Sequence, residues 1–238
     1  MQTTLVPCFN YYRTALFTDD SQRHLTRMTI ELDSHLPSNA FSEPQKVLRY
    51  IQTHGRPNEK IQKDDLYLEI QNPNRFNEPS LLVTDYAMPG TNMNGFELCS
   101  QVKQLCHEHN IPSPKIILLS GQAGEEIGQE GINKGYIDQY VSKTDPSCTY
   151  KLNRAIQALQ MQFSIEKSAP VLKELSAKPD FCFNDLNFIQ LFKELCKENE
   201  IVEYFPLGSS GDFLLSQFDG SLLWLRVIPV SLCLRLSQ

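Results

Sequence analysis

Four apolar runs of this 238-residue chain end in residues that can do chemistry. YRTALFT (12–18) is followed by Asp19 and Asp20, SLLVT (80–84) by Asp85, KIILL (115–119) by Ser120, and IDQYVS (137–142) by Lys143. Read as strands of a parallel sheet, these runs bring three carboxylates, a hydroxyl and an ammonium to one crevice, because ligand sites in such sheets lie outside the carboxyl ends of the strands. Clustered carboxylates repel, and their pKa values rise unless a cation sits among them. A set made only of oxygen ligands, with room for water, suits Mg2+. A carboxylate beside such an ion can act as a nucleophile toward phosphorus. An ammonium and a hydroxyl then stabilise the charge on the equatorial oxygens of the transferred group. The chemistry this pattern implies is phosphoryl transfer to Asp85.

The elements that must position these residues are legible in the same way. Leu25, Met28, Leu32 and Leu36 fall on one face of a helix over 21–36. Ser42 as N-cap and Pro44 in the first turn open a helix over 41–51. Gly95 to Cys106 carries a broad apolar face (Phe96, Leu98, Cys99, Val102, Leu105), Gln122 to Lys134 is closed by Gly135, and Cys148 to Ile165 is a final helix. Continuous apolar strands alternating with helices predict a doubly wound α/β domain over 10–165. Residues 52–79, broken by Gly55, Pro57, Pro73 and Pro79, read as an inserted arm with room for a short strand at 66–70. Residues 166–180, with Pro170 and Pro179, read as a linker. Beyond it, 181–238 predicts a small α+β unit. It has a helix over 184–199 and strands near 201–207, 212–217 and 222–228, with turns at Gly208–Gly211 and at Asp219-Gly220. Trp224 and its leucine neighbours belong to that unit's core or to a contact surface.

Composition bounds the function. With 22 basic and 28 acidic residues the formal net charge is −6 and the pI is near 5.4, which argues against a large nucleic-acid surface. Residues 168–238 hold only Lys173, Lys178, Lys193, Lys197, Arg226 and Arg235, so no direct DNA binding is expected of them. The seven cysteines include no CxxC pair, and the first residues show neither a basic nor an apolar leader region, which predicts reduced thiols and a cytoplasmic location. Leu222 to Leu236 is interrupted by Arg226, Pro229 and Arg235, so no membrane association is expected. Cys106-His107-Glu108-His109 is no zinc site on a helix, where neighbours diverge by about 100°.

Asp19-Asp20, LLVTDYAMPG (81–90), GFEL (95–98), KIILLSGQ (115–122) and YVSK (140–143) together resemble a response-regulator receiver domain of two-component signalling. The resemblance covers 10–165 and implies a flavodoxin-like five-stranded parallel sheet of order 2-1-3-4-5. It implies that Asp85 is the phospho-acceptor, that Asp19, Asp20, Asp85 and the Ala87 carbonyl hold Mg2+, and that Ser120 and Lys143 bind the new phosphate. Tyr140 resembles the aromatic that switches with phosphorylation. The implied partners are a sensor histidine kinase or phosphotransfer protein, with 181–238 as an output or homodimerisation unit, and no enzymatic turnover beyond self-dephosphorylation. Several features depart from the pattern. The stretch from Asp20 to Asp85 is about twice a normal strand–helix–strand–helix–strand path. Thr91-Asn92-Met93 lengthens the loop after Pro89, Thr144 follows Lys143 where the family carries proline, and the second strand, due near 36–41, is poorly marked. Two other readings remain. One is a receiver-like scaffold that is never phosphorylated. The other is an aspartyl-nucleophile phosphatase, which needs a second Asp where Ala87 stands.

Overall fold

The computed structural model describes residues 6–31, 36–56, 73–121, 125–207 and 211–227. They divide into two compact units, a larger one of residues 13–56 and 74–163 and a smaller one of residues 6–12 and those from 164 on.

The larger unit contains β1 (Thr14–Thr18), α1 (Gln22–Glu31), β2 (Ser38–Phe41), α2 (Pro44–His54), a 3₁₀ turn at Pro73–Asn77 and β3 (Pro79–Asp85). It continues through α3 (Gly95–Glu108), β4 (Lys115–Ser120), α4 (Glu125–Asn133), β5 (Gln139–Ser142) and the first part of α5 (Cys148–Ser176). The five strands form one parallel sheet of order β2-β1-β3-β4-β5, the flavodoxin-like arrangement expected from the sequence. Successive side chains of a strand point to opposite faces, and both faces here are covered. Phe17, Val83, Ile117 and Leu119 pack with Leu25 of α1 and with Leu152, Ile156 and Leu159 of α5. Leu16, Leu82, Ile116 and Leu118 pack with Val47 and Ile51 of α2 and with Leu98 and Val102 of α3. Each such buried aliphatic or aromatic side chain contributes roughly 1.5–3 kcal/mol. Double coverage is why β1, β3 and β4 are buried along their whole length and read as unbroken apolar runs. Edge strand β2 alternates between exposed and half-buried residues, so Ser38-Asn39-Ala40-Phe41 carries little apolar signal. The part of the 52–79 arm at 57–72, including the strand read at 66–70, lies outside the described residues.

The smaller unit takes α5 from Ser164 onward, a 3₁₀ turn at Cys182–Asn184, α6 (Leu186–Glu198) and the antiparallel sheet β6 (Ile201–Pro206), β7 (Phe213–Gln217), β8 (Leu222–Leu225). Asp185 caps α6 by accepting from the Asn187 amide at 2.8 Å. Its core is aromatic: Phe9, Phe181, Phe183, Phe192, Tyr204, Phe205 and Phe213 close around Val171 and Leu175.

The structure departs from the sequence reading in several places. Glu43, not Ser42, precedes α2, and Leu36 lies beyond α1. Residues 166–176, read as linker, continue α5 through Pro170. An interior proline removes a helix donor and costs about 3 kcal/mol, but Val171 and Leu175, one and five residues on, are fully buried in the aromatic core and hold the helix together. Residues 6–12 join the smaller unit. Asn10 and Tyr204 exchange backbone hydrogen bonds at 2.9 and 2.8 Å, and Phe9, Tyr11 and Phe205 stack in series. The loop at 208–210 and the tail from 228 lie outside the described residues.

Candidate functional site

The parallel sheet brings the strand-end residues together. Asp19 follows β1, Asp85 ends β3, Ser120 ends β4 and Lys143 follows β5. Asp19, Asp20 and Asp85 each offer a carboxylate oxygen within 4.8 Å of the others. The Lys143 ammonium donates to Asp19 Oδ2 and lies equally close to Asp85 Oδ2, at 2.9 Å in both cases. Its place is set from the backbone: the Lys143 amide donates to the Ser120 carbonyl at 2.9 Å, so the end of β4 carries both Ser120 and the anchor of Lys143. Ser120 is buried, and its neighbour Leu119 pairs with Asp85 in the sheet.

Each carboxylate is held differently. Asp19 is buried and accepts from the Ser21 amide at 2.9 Å, which fixes it at the start of α1, while His24 Nδ1 lies 3.5 Å from its Oδ2. Asp20, half-exposed, accepts from the Gly90 amide at 3.0 Å and so ties the loop after β3 to the end of β1. Asp85 is lifted above the ordinary carboxylate range, chiefly by burial. The Lys143 hydrogen bond and charge oppose that lift, the charge of Asp19 adds to it, and the Ala87 amide opposes it. For Lys143 burial works against the charge, but the hydrogen bonds and charges of Asp85 and Asp19 outweigh it and hold the ammonium above its ordinary pKa.

The backbone behind Asp85 leaves no slack. Gly95, the first residue of α3, presses so closely that a Cβ there would stand 1.9 Å from the Asp85 carbonyl oxygen. The Gly95 amide donates to the Tyr86 carbonyl at 2.9 Å, and the Thr84 hydroxyl donates to the Asp85 carbonyl at 3.1 Å. Asn94 and Glu97 close a reciprocal capping box at 2.9 and 3.0 Å that starts α3 at this point. Tyr140 sits half-buried in β5, its ring against α4, where a Cβ on Gly128 would stand 2.6 Å from its Cγ. After Lys143, Thr144 hydrogen-bonds back to Ser142 (Oγ to Oγ1, 2.8 Å), and all described peptide bonds are trans.

Every site residue read from the sequence therefore lies in the larger unit. Asp19, Asp20, Asp85 and Lys143 form one cluster, Ser120 and Ala87 adjoin it along the backbone, and Tyr140 lies on β5. Sequence reasoning quoted Gly90 and Gly95 within motifs but missed their roles, the close approach of Gly90 to the Asp20 carboxylate and of Gly95 to the Asp85 backbone, and it did not single out His24, five residues on from Asp19.

No family model matches the chain, and no curated protein matches it. Among solved structures, the Legionella pneumophila response regulator LqsR is 32% identical over 92% of this chain, with a TM-score of 0.71. This chain spans 66% of the length of that one. An adenylate cyclase from Rhodopirellula baltica is 17% identical over 68% of this chain and 98% of its own, with a TM-score of 0.51, a likeness of fold. The sheet order, the strand-end cluster and the likeness to LqsR define the class: the chain carries a response-regulator receiver domain.

Proposed function

We propose that this response regulator accepts a phosphoryl group on Asp85 from the phosphohistidine of a kinase or phosphotransfer protein. The observation that carries the reading is the Lys143 ammonium held 2.9 Å from both Asp19 and Asp85, with Asp20 in the same cluster. Three carboxylates against that one ammonium leave an excess of negative charge, and the donor set is oxygen only, so the residues fit a hard divalent cation. Asp19, Asp20, Asp85 and the Ala87 carbonyl would hold Mg2+, which when bound supplies positive charge against the phosphoryl oxygens.

Asp85 is the nucleophile. One of its oxygens forms the P–O bond while the P–N bond to the donor imidazole breaks, and that electron pair stays on the ring nitrogen. The product is an acyl phosphate on the protein and an unphosphorylated donor histidine. Lys143 exchanges its Asp85 contact for a phosphoryl oxygen and keeps Asp19. The Ser120 hydroxyl donates to a second phosphoryl oxygen. Tyr140, three residues before Lys143 and its backbone anchor, follows that rearrangement and carries it to the β4–β5 face, a biased two-state surface. The smaller unit is then the output or self-association element.

Incubation with Mg2+ and acetyl phosphate followed by intact-mass measurement tests the reading. One added phosphoryl mass is expected, absent in Asp85→Asn and in EDTA. An unmodified wild-type chain would overturn it in favour of a receiver-like scaffold.

A further inference from the structure

Two of the four proposed Mg2+ ligands depend on the loop between β3 and α3. The loop carries the Ala87 carbonyl, and its Gly90 amide donates to Asp20 Oδ2 at 3.0 Å. That hydrogen bond takes one oxygen of a half-exposed carboxylate and leaves the other, so it fixes which way Asp20 faces. The neck of the loop is closed by the Gly95 amide, which donates to the Tyr86 carbonyl at 2.9 Å. Within the neck, the residues that lengthen the loop gather on one side chain. Thr91 Oγ1 stands 2.7 Å from the Met93 carbonyl and 3.0 Å from the Met88 carbonyl, so its single proton is shared between the two limbs of the loop. It also accepts from the Met93 amide at 3.4 Å, and the Thr91 amide donates to the Met88 carbonyl at 3.0 Å. Met88 and Met93 are both buried, which anchors each limb. Thr91 thus ties down the residue after Ala87 on one side and, through its own backbone, Gly90 on the other.

We propose that Thr91 is a positioning residue for the metal: its hydroxyl holds the loop so that the Ala87 carbonyl and the Asp20 carboxylate both face the cluster before an ion arrives. An unbraced loop must be ordered as the ion binds, and the entropy lost in ordering it weakens binding. Thr91 belongs to neither the nucleophile nor the phosphate-binding set, so labelling at saturating Mg2+ should not depend on it. That role rests on Mg2+ binding at the cluster, as proposed above; the brace within the loop does not.

Isothermal titration of the full chain with magnesium chloride tests the role. Thr91→Val, which keeps the volume and loses the hydroxyl, should raise the Mg2+ Kd about fivefold, the size of one hydrogen bond. Thr91→Ser, which keeps the hydroxyl, should bind like the parent chain. Acetyl phosphate labelling of Asp85 should be slower in Thr91→Val at low Mg2+ and equal to the parent at saturating Mg2+, a split that mere loss of stability would not produce. In the metal-free chain, water-exchange NMR should find the Gly90 amide exchanging faster in Thr91→Val, while the Lys143 amide, bonded to the Ser120 carbonyl, is unchanged. Equal Mg2+ affinity in Thr91→Val, or Thr91→Ser as weak as Thr91→Val, overturns the positioning role. Mg2+ binding that falls as described without any Asp85 labelling supports the role and overturns the acceptor reading. A parent chain that binds no Mg2+ overturns the metal reading and the positioning role together; Gly90 exchange alone then decides the brace, which unchanged exchange in Thr91→Val overturns.

Discussion

At the scale of single residues, the cluster holds opposing charges whose stability effects have opposite signs. Asp85 in the folded chain binds its proton more tightly than in the unfolded chain, because burial lifts its pKa. Its favourable contribution is complete below the unfolded value and is lost as the pH rises through the folded one, so at neutral pH the ionised carboxylate is a net cost. Asp85→Asn should therefore raise Tm at pH 7 by a few degrees, about what 1 kcal/mol gives in a domain of this size. Melts repeated toward pH 4 should show the gain shrinking. Lys143 behaves the other way. Its pKa is raised, so its stabilisation is complete at neutral pH and fades only as strong alkali removes the proton. Lys143→Met removes the donor that Asp19 and Asp85 share, leaving them the Ser21 and Ala87 amides, and should cost about 2 kcal/mol in urea unfolding at pH 7. In that background Asp85→Asn should stabilise more than it does in the parent chain; equal gains would mean that the 2.9 Å contact carries no coupling.

At the scale of elements, the decisive contact is α3 against the end of β3. Gly95→Ala would place a methyl 1.9 Å from the Asp85 carbonyl oxygen, so strand or helix must move. A loss of at least 2 kcal/mol, about the overpacking range, is expected by denaturant titration, together with a fall in Asp85 labelling. Pro170 is the converse case. Alanine there restores a helix donor where the chain already tolerates its absence, and should stabilise the smaller unit by up to about 3 kcal/mol. The chain's single tryptophan, Trp224 on β8, reports it by fluorescence anisotropy. These elements also show what a sequence can and cannot reveal. Asp19, Asp85 and Ser120 were legible because β1, β3 and β4 are buried along their length and read as apolar-rich runs that end at them, whereas Lys143 follows the half-buried edge strand β5 and was legible through the YVSK motif. β2 was faint because one edge and one face see solvent. Pro170 misled because local propensity was weighed without Val171 and Leu175, whose burial far from their sequence neighbours outweighs it. The Gly95 contact depends on a distance between two backbones and leaves no pattern at all.

At the scale of the whole molecule, two units have separate cores, one of aliphatic layers about a sheet and one of packed aromatic rings. Phe192 meets Phe183, Tyr204 and Phe213 within 5.3 Å between ring centroids, so Phe192→Ala should cost the smaller unit about 3–5 kcal/mol. Calorimetry should show one transition lowered, while the phosphoryl labelling of Asp85 proposed above stays at the parent chain's level below that transition. Loss of labelling alongside the aromatic core would mean that the units fold as one. The smaller unit is also assembled from distant stretches of chain: the Tyr204 hydroxyl donates to the Pro7 carbonyl, 197 positions away. On a ribosome, which delivers residues in order, the receiver sheet can close as soon as α5 has emerged. Pro7, Phe9 and Tyr11 must wait, their aromatic rings without a home, until β6 and β7 have been made. A nascent chain halted after residue 176 would thus carry a finished receiver sheet and a sticky leading segment. That interval is where a chaperone would be expected to bind it.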